Sequence, residues 1–152
     1  MIITGGISVK KVRDLMTKDV TTADMNSTIT EVAQSMKDLN VGSIPICDDN
    51  RNIVGIVTDR DIVLRSVAEG NNISSTKAGD VMTDQIVSVS PETDIHEAAN
   101  IMAQHQIRRL PVVENGKLVG IVAIGDFATQ NIYINEAGDA LSDISKPTRP
   151  IH

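Results

Sequence analysis

The sequence contains the same pattern of residues twice. Asp14-Leu15-Met16-Thr17 returns 66 residues later as Asp80-Val81-Met82-Thr83, and Val54-Gly55-Ile56-Val57 returns 65 residues later as Val119-Gly120-Ile121-Val122. Each copy spans roughly 60 residues, and a domain of that length buries only about 60% of the surface that its unfolded chain exposes. We therefore expect the two copies to be structural units that fold against each other.

Each copy predicts the element order strand, helix, strand, strand, helix. Thr28 and Glu31 have the spacing of a capping box at a helix start, and Asp94 with Glu97 repeats it in the second copy. Apolar residues then recur at helical spacing, which places Met36 in the expected core. The expected fold is α/β (α+β), with the two copies packed about a pseudo-twofold axis.

Three strands are expected in each copy; they lie at 20–22, 43–47 and 53–57, and at 86–89, 109–113 and 118–122. Asn115-Gly116 predicts a type I′ turn between the last two, because these residues accept the positive φ that this turn requires. The expected boundaries are an N-terminal segment at 1–11, the first copy at 12–68, a linker at 69–77, the second copy at 78–137 and a tail at 138–152.

Composition excludes several classes of protein. A chain of 152 residues is too short for an α/β barrel, which needs at least about 200. The net charge of −6 and the pI near 4.9 argue against binding of polymeric nucleic acid or an anionic membrane. The single Cys47 cannot form an intrachain disulfide and is expected to be a small buried hydrophobe. No signal peptide or membrane span is recognisable, so we expect a cytoplasmic protein.

The sequence predicts neither a metal site nor catalysis. Asp48-Asp49-Asn50 is acidic, but it lacks the spaced carboxylates and distal Glu of a calcium loop. The histidines His96, His105 and His152 have no ligand spacing, and no phosphate-binding loop or nucleophile elbow is present. We expect no cofactor and no enzyme activity.

The sharpest local signal is Gly55-Ile56-Val57-Thr58-Asp59-Arg60-Asp61, where a strand is predicted to become a helix. A helix N-terminus and a hydroxyl suit a phosphate, and the Asp61 carboxylate can accept both hydroxyls of a ribose. Thr58 and Asp61 are equally what a capping box uses. The second copy keeps Asp126 but has Ala123 in place of Thr58, so the unit does not need a hydroxyl there to fold, which favours a binding role.

A second difference between the copies lies before the strand proline. The second copy has Arg108 and Arg109 where the first has Gly42 and Ser43. These arginines are either a solvated rim or phosphate ligands, since guanidinium groups match phosphate geometry. Our central hypothesis is a composite cleft, in which the hydroxyl of one copy and the cations of the other complete one site.

The repeat, its element order and the Gly-x-x-Thr-x-x-Asp segment closely resemble the cystathionine-β-synthase (CBS) domain family, whose tandem pairs are called Bateman modules. The resemblance spans Val12 to Ala137 and is to the stand-alone bacterial or archaeal type. It implies that Asp61 holds a ribose, that Thr58 meets the phosphate, and that Arg108, with Arg109, reaches the ligand. The residues implied to line the adenine pocket are Thr21, Thr22, Ile44 and Pro45.

The resemblance also implies a second ribose residue, Asp126, in a site whose phosphate contact is weakened by Ala123. Arg60 lies two residues after Thr58 and is not assigned to either cleft. The implied ligand is AMP, ADP or ATP, with S-adenosylmethionine as an alternative. The implied function is a non-catalytic regulatory module that forms a homodimer, through helix faces near Ile62 and Phe127, and signals to a protein partner. The alternative is a ligand-free dimerisation or interaction module.

Overall fold

The computed structural model describes residues 10–128. Residues 1–9 of the predicted N-terminal segment, the end of the second copy at 129–137 and the predicted tail at 138–152 lie outside the described residues. The helices and strands are α1 (Val12–Leu15), α2 (Ile29–Leu39), β1 (Ser43–Cys47), β2 (Ile53–Thr58), α3 (Asp59–Ile62), a π-helix (Val63–Val67), α4 (Ala78–Val81), α5 (Ile95–His105), β3 (Arg109–Glu114), β4 (Lys117–Ala123) and α6 (Ile124–Ala128).

These residues form two compact units, and the residue ranges of the units differ from those of the two sequence copies. The first unit contains 19–87 and 115–118, and the second contains 10–18, 88–114 and 119–128. Each unit thus combines most of one copy with short segments of the other. The two copies are consecutive stretches of sequence, whereas each unit is a set of residues that pack together in space.

The first unit is built on the antiparallel pair β1 and β2. Ile44 lies opposite Val57 in this pair, and a bulge follows Ile46. Thr83 forms an antiparallel bridge with Ile56, with backbone hydrogen bonds of 2.8 and 2.9 Å. Residues of the second sequence copy therefore extend the sheet of the first, through pairing with β2.

No strand forms at 20–22, where one was predicted. Instead, the next residue, Ala23, makes a single parallel bridge to Ile46. The Ala23 amide donates to the Pro45 carbonyl (3.0 Å), and the Cys47 amide donates to the Ala23 carbonyl (2.8 Å). The next bond of a parallel ladder, towards Thr21, needs the amide hydrogen of residue 45. Proline has none, so the ladder ends there.

The same limit applies in the second unit, where β3 and β4 form the second two-stranded sheet. Val89 makes a single parallel bridge to Val112, and Pro111 has no amide hydrogen to continue the pairing towards 86. The α/β class is confirmed, but the first predicted strand of each copy is wrong as a strand.

Helix α2 begins as predicted. Thr28 and Glu31 form a reciprocal capping box, with the Glu31 amide 3.2 Å from Thr28 Oγ1. The amide of Ile29 donates to the Thr76 carbonyl (3.0 Å) and that of Thr30 to the Ile73 carbonyl (3.2 Å). The predicted linker thus satisfies two of the amides that a helix start leaves without an intrahelical partner.

The core of the first unit contains side chains from both sequence copies. Its buried residues are Ile29, Val32, Met36, Ile44, Ile46, Val57, Ala78 and Val81. The last two belong to α4, which precedes the Met-Thr pair of the second copy. Cys47 is 4% exposed, which confirms the prediction that it is a small buried hydrophobe.

In the second unit, Asp94 is the N-cap of α5 as predicted. The predicted pairing with Glu97 is wrong, because the Asp94 carboxylate accepts from the His96 amide (2.7 Å). The turn from β3 to β4, whose residues group with the first unit, has Asn115 at φ 55° and Gly116 at φ 80°. These positive φ values confirm the predicted type I′ turn. Thr17 of the first copy bridges Ile121, with hydrogen bonds of 2.8 and 2.9 Å.

The expected dimerisation faces begin near Ile62 and Phe127, and the described residues cover mainly the first of them. Phe127 is 1% exposed, and the residues that would continue the expected apolar face after it lie outside the described residues. After Ile62 the chain continues as the π-helix, whose Ala68 amide donates to the Val63 carbonyl (2.8 Å). Val63, Leu64 and Val67 are exposed there.

No helix within residues 10–128 is long and apolar enough to cross a bilayer.

Candidate functional site

The turn from β2 into α3 is closed by a reciprocal pair of hydrogen bonds. The Asp61 amide donates to Thr58 Oγ1, and the Thr58 amide donates to Asp61 Oδ2, both at 3.0 Å. Thr58 is thus the N-cap of α3, and Asp61 completes the capping box. If these side chains bind a ligand, they must do so while they also cap α3.

The two roles are chemically compatible. Thr58 Oγ1 uses a lone pair to accept from the Asp61 amide, and its hydrogen can still be donated. A carboxylate has about four lone-pair positions, and the Thr58 amide takes one on Asp61. A phosphate oxygen near Thr58 and a ribose diol near Asp61 would be chemically suitable partners.

Asp61 is 7% exposed and has further partners that the sequence analysis did not assign to the site. The Thr83 hydroxyl donates to it, with Oγ1 3.3 Å from both carboxylate oxygens. Arg65 Nε lies 3.7 Å from Asp61 Oδ1. Thr83 could have been noticed in the sequence because it belongs to the repeated Asp-x-Met-Thr segment. That segment is separated from Asp61 along the chain, so the sequence did not indicate their contact.

Close packing of two repeated motifs brings Thr83 to Asp61. A Cβ atom on Gly55 would lie 2.9 Å from Met82 Cγ and 3.1 Å from the Thr83 carbonyl oxygen. The absence of a side chain at Gly55 therefore allows Met82 and Thr83 to lie against β2. The second unit repeats this arrangement with Met16 lying on Gly120, where a Cβ atom would come within 2.8 Å of the Met16 sulfur.

The residues implied to line an adenine pocket are divided between core and surface. Ile44 is 1% exposed and packs in the hydrophobic core, and Pro45 is also buried. Thr21 is exposed and Thr22 is half-buried. The bond from the Ala23 amide to the Pro45 carbonyl places the chain after Thr22 beside β1.

The corresponding turn in the second unit keeps only the carboxylate half of the capping box. The Ala123 amide donates to Asp126 Oδ2 at 2.8 Å, as the Thr58 amide does to Asp61. Alanine offers no hydroxyl to accept an amide in return. The two turns thus share a backbone-to-carboxylate bond, and the Thr58 hydroxyl is the difference between them.

Arg108 and Arg109 lie in the second unit and differ in exposure. Arg108 is exposed, and its carbonyl accepts from the Ile124 amide (2.9 Å), as the Gly42 carbonyl accepts from the Asp59 amide in the first unit. Arg109 is half-buried, and its Nε is buried with no hydrogen-bond partner among the described residues. Burial lowers the pKa of Arg109, and the nearby Asp126 carboxylate opposes this shift.

Arg60 is exposed at the start of α3, and its amide donates to Asp59 Oδ1 (2.8 Å). Among residues 10–128, no group of three or more His, Cys, Asp or Glu side chains is arranged to hold a metal ion.

Comparison with known proteins gives consistent matches. The CBS domain model matches residues 12–67 and 78–130. The CBS domain-containing protein YhcV of Bacillus subtilis is 46% identical over 134 residues, which are 88% of this chain and 94% of YhcV.

Two solved structures that are similar to this chain contain adenosine-type ligands. CBSX2 in complex with AMP is 27% identical, with a TM-score of 0.71, over 83% of this chain and 98% of that one. The CBS domain pair of MJ0100, in complex with 5′-methylthioadenosine and S-adenosyl-L-methionine, is 27% identical, with a TM-score of 0.69, over 80% of this chain and 95% of that one.

Proposed function

The chain belongs to the CBS domain family, with two CBS domains in tandem, and from this premise we propose that it binds an adenine nucleotide and signals to a partner protein. A CBS pair is a regulatory module, and no catalytic family is indicated. The observation that carries the proposal is the buried carboxylate of Asp61 beside the Thr58 hydroxyl. The adenosine-type ligands of CBSX2 and MJ0100 support the same class of ligand.

Asp61 is the proposed ribose ligand. A carboxylate accepts hydrogen bonds from both ribose hydroxyls, and charge-assisted bonds are about twice as strong as neutral ones. Thr58 is the proposed phosphate ligand, through the hydroxyl hydrogen that its capping bond does not use.

Arg108 is proposed to contact the phosphate, with Arg109 as a second cation, and Asp126 is proposed to hold a second ribose. Arg108 is exposed and therefore accessible to a ligand. We expect Arg108→Ala to weaken AMP binding far more than adenosine binding, because only AMP carries the phosphate. Equal losses for both ligands would remove Arg108 from the phosphate site.

A thermal-shift panel tests nucleotide binding. The ligands are AMP, ADP, ATP, S-adenosylmethionine, NADH and GTP. A ligand at about 100 times its Kd stabilises the folded state by about 2.7 kcal/mol. For a chain of this size, each kcal/mol raises Tm by about 2–4 °C. The proposal fails if no member of the panel shifts Tm.

The ribose contact is tested by pairing a conservative variant with a modified ligand. Asp61→Asn keeps the shape and removes the charge. We expect the wild type to prefer AMP over 2′-deoxy-AMP, and Asp61→Asn to lose most of that preference. Isothermal titration of both ligands measures this ratio, which a general loss of stability does not change. Asp59→Asn, which changes an exposed carboxylate of the same turn that is assigned to neither site, is the control. A preference that survives in Asp61→Asn excludes the ribose contact.

A second candidate function is a ligand-free interaction module. It is favoured by the capping box, which gives Thr58 and Asp61 a structural role, and by the exposed apolar side chains of the π-helix. Under this function, Asp61→Asn lowers stability and leaves self-association unchanged, and no nucleotide shifts Tm.

A further inference from the structure

Outside the capping box, the Asp61 carboxylate is connected to residues 81–83, directly through Thr83 and indirectly through Arg65. The Thr83 hydroxyl donates to both carboxylate oxygens at 3.3 Å. Arg65, which lies 3.7 Å from the same carboxylate, also donates to the carbonyls of Val81 (3.4 Å) and Met82 (3.3 Å). Asp61 and Arg65 therefore connect the helical segment after β2 to residues 81–83.

The same stretch is also attached through its backbone. Thr83 and Ile56 exchange two hydrogen bonds of 2.8 and 2.9 Å, and Met82 lies against Gly55. The side-chain contacts on Asp61 add to this bridge. Further along the chain, the first unit gives way to the second after Val87.

We propose that Thr83 and Arg65 form a latch on Asp61, and that nucleotide binding at Asp61 loosens the attachment of residues 81–83. The proposal rests on the proposed function, since it takes Asp61 as the ribose ligand. Thr83 and Arg65 act here as positioning residues. Neither is assigned a contact with the nucleotide.

Competition for the carboxylate produces the coupling. Asp61 is 7% exposed, and the bifurcated bond from Thr83 occupies a lone pair on each oxygen. A ribose diol donates to those same oxygens, so the diol and the Thr83 hydroxyl bind Asp61 at each other's expense. By linkage, a ligand that weakens the latch is itself bound more weakly while the latch is intact.

Thr83→Val tests the competition, because valine keeps the shape and the backbone bridge but has no hydroxyl. We expect Thr83→Val to bind adenosine about 2- to 10-fold more tightly than the wild type, which is the range of one net hydrogen bond. Thr83→Ser retains the donor and should bind as the wild type does. Thr17→Val is the matched control, since Thr17 holds the same register against Ile121 in the second unit.

Amide hydrogen exchange in the wild type provides a readout that needs no variant. Saturating AMP is expected to speed exchange at the Thr83 and Ile56 amides, whose hydrogen bonds form the bridge. Slower or unchanged exchange at both amides would overturn the latch, as would unchanged or weaker adenosine binding by Thr83→Val.

These outcomes separate the latch from the proposed function. If the wild type binds AMP but Thr83→Val gains no affinity, the latch is wrong and nucleotide binding stands. If the wild type binds neither AMP nor adenosine, the proposed function fails and the coupling fails with it. In that case faster Ile56 exchange in ligand-free Thr83→Val, compared with Thr17→Val, would still identify a structural contact on Asp61.

Discussion

At the scale of single residues, two glycines explain why the two repeated motifs occur together. Gly55 lies under Met82 and Thr83, and Gly120 lies under Met16 and Thr17. In both units a Cβ atom on the glycine would come closer to the methionine than real Cβ contacts do. The Gly-Ile-Val strand of each copy is therefore the surface on which the Met-Thr pair of the other copy lies.

Gly55→Ala should lower the free energy of unfolding by about 1–3 kcal/mol, the usual cost of overpacking. The added methyl group would meet the Thr83 carbonyl, which is part of the backbone bridge. Urea denaturation measures the change. Gly125→Ala in α6 is the control, since its Cβ would meet nothing within 4 Å and alanine favours a helix by about 0.5–1 kcal/mol. Equal effects of the two variants would contradict this packing.

Cys47 gives a pH-dependent prediction. Burial is the main cause that raises the pKa of its thiol above the ordinary value of 9.0. The folded state then keeps a proton that the unfolded state releases, so stability falls as pH rises above 9. Urea denaturation at pH 8 and pH 10 should show a larger loss for the wild type than for Cys47→Ala. The same loss in both proteins would assign it to other groups.

At the scale of elements, the two strand-to-helix turns are stabilised by the same kind of hydrogen bond, but to different extents. Thr58 and Asp61 close a full capping box on α3, whereas α6 has only the bond from the Ala123 amide to Asp126. The strand prolines have a similar local effect, since Pro45 and Pro111 stop the parallel pairing after one bridge. These features follow from single residue types placed at element ends.

Ala123→Thr should complete the second capping box and raise the free energy of unfolding by about 0.5–2 kcal/mol, the usual value of an N-cap. The new hydroxyl would accept the Asp126 amide, as Thr58 Oγ1 accepts the Asp61 amide at 3.0 Å. Thermal and urea denaturation measure the gain. Ala123→Val has the same shape without the hydroxyl and is the control. A gain of the same size in both variants would show that the β-branched shape, and not the cap, is responsible.

At the scale of the whole molecule, residues that are adjacent in sequence contribute to different units. The chain enters the first unit at Asp19 and changes unit after Val87. The core of the first unit therefore needs a segment from the second copy, which contributes Ala78 and Val81. The exposed apolar side chains of the π-helix remain unburied within the described residues.

We expect those side chains to support self-association of the full chain. Val63 is 54% exposed and Val67 is 58% exposed, which is unusual for neighbouring apolar residues on one helix. Val67→Lys should weaken self-association by about tenfold or more, because each copy would bury an unpaired charge. Size-exclusion chromatography with light scattering measures this. Leu39→Lys, at a 48% exposed position on α2, is the control, and a monomeric wild type would refute the expectation.

The sequence by itself determined the duplication, the helix start at Thr28, the type I′ turn at Asn115-Gly116 and the CBS family, because these depend on residue types at short, fixed spacings. Only the tertiary structure decided which repeated motifs touch. Met82 lies on Gly55 and Thr83 donates to Asp61, although more than twenty residues separate each pair. Packing across such distances depends on how the chain passes between units, and no local pattern records that path. The sequence predicted that Thr58 and Asp61 can form a cap. The structure adds that the Asp61 carboxylate is buried and accepts a hydrogen bond from Thr83 of the second copy.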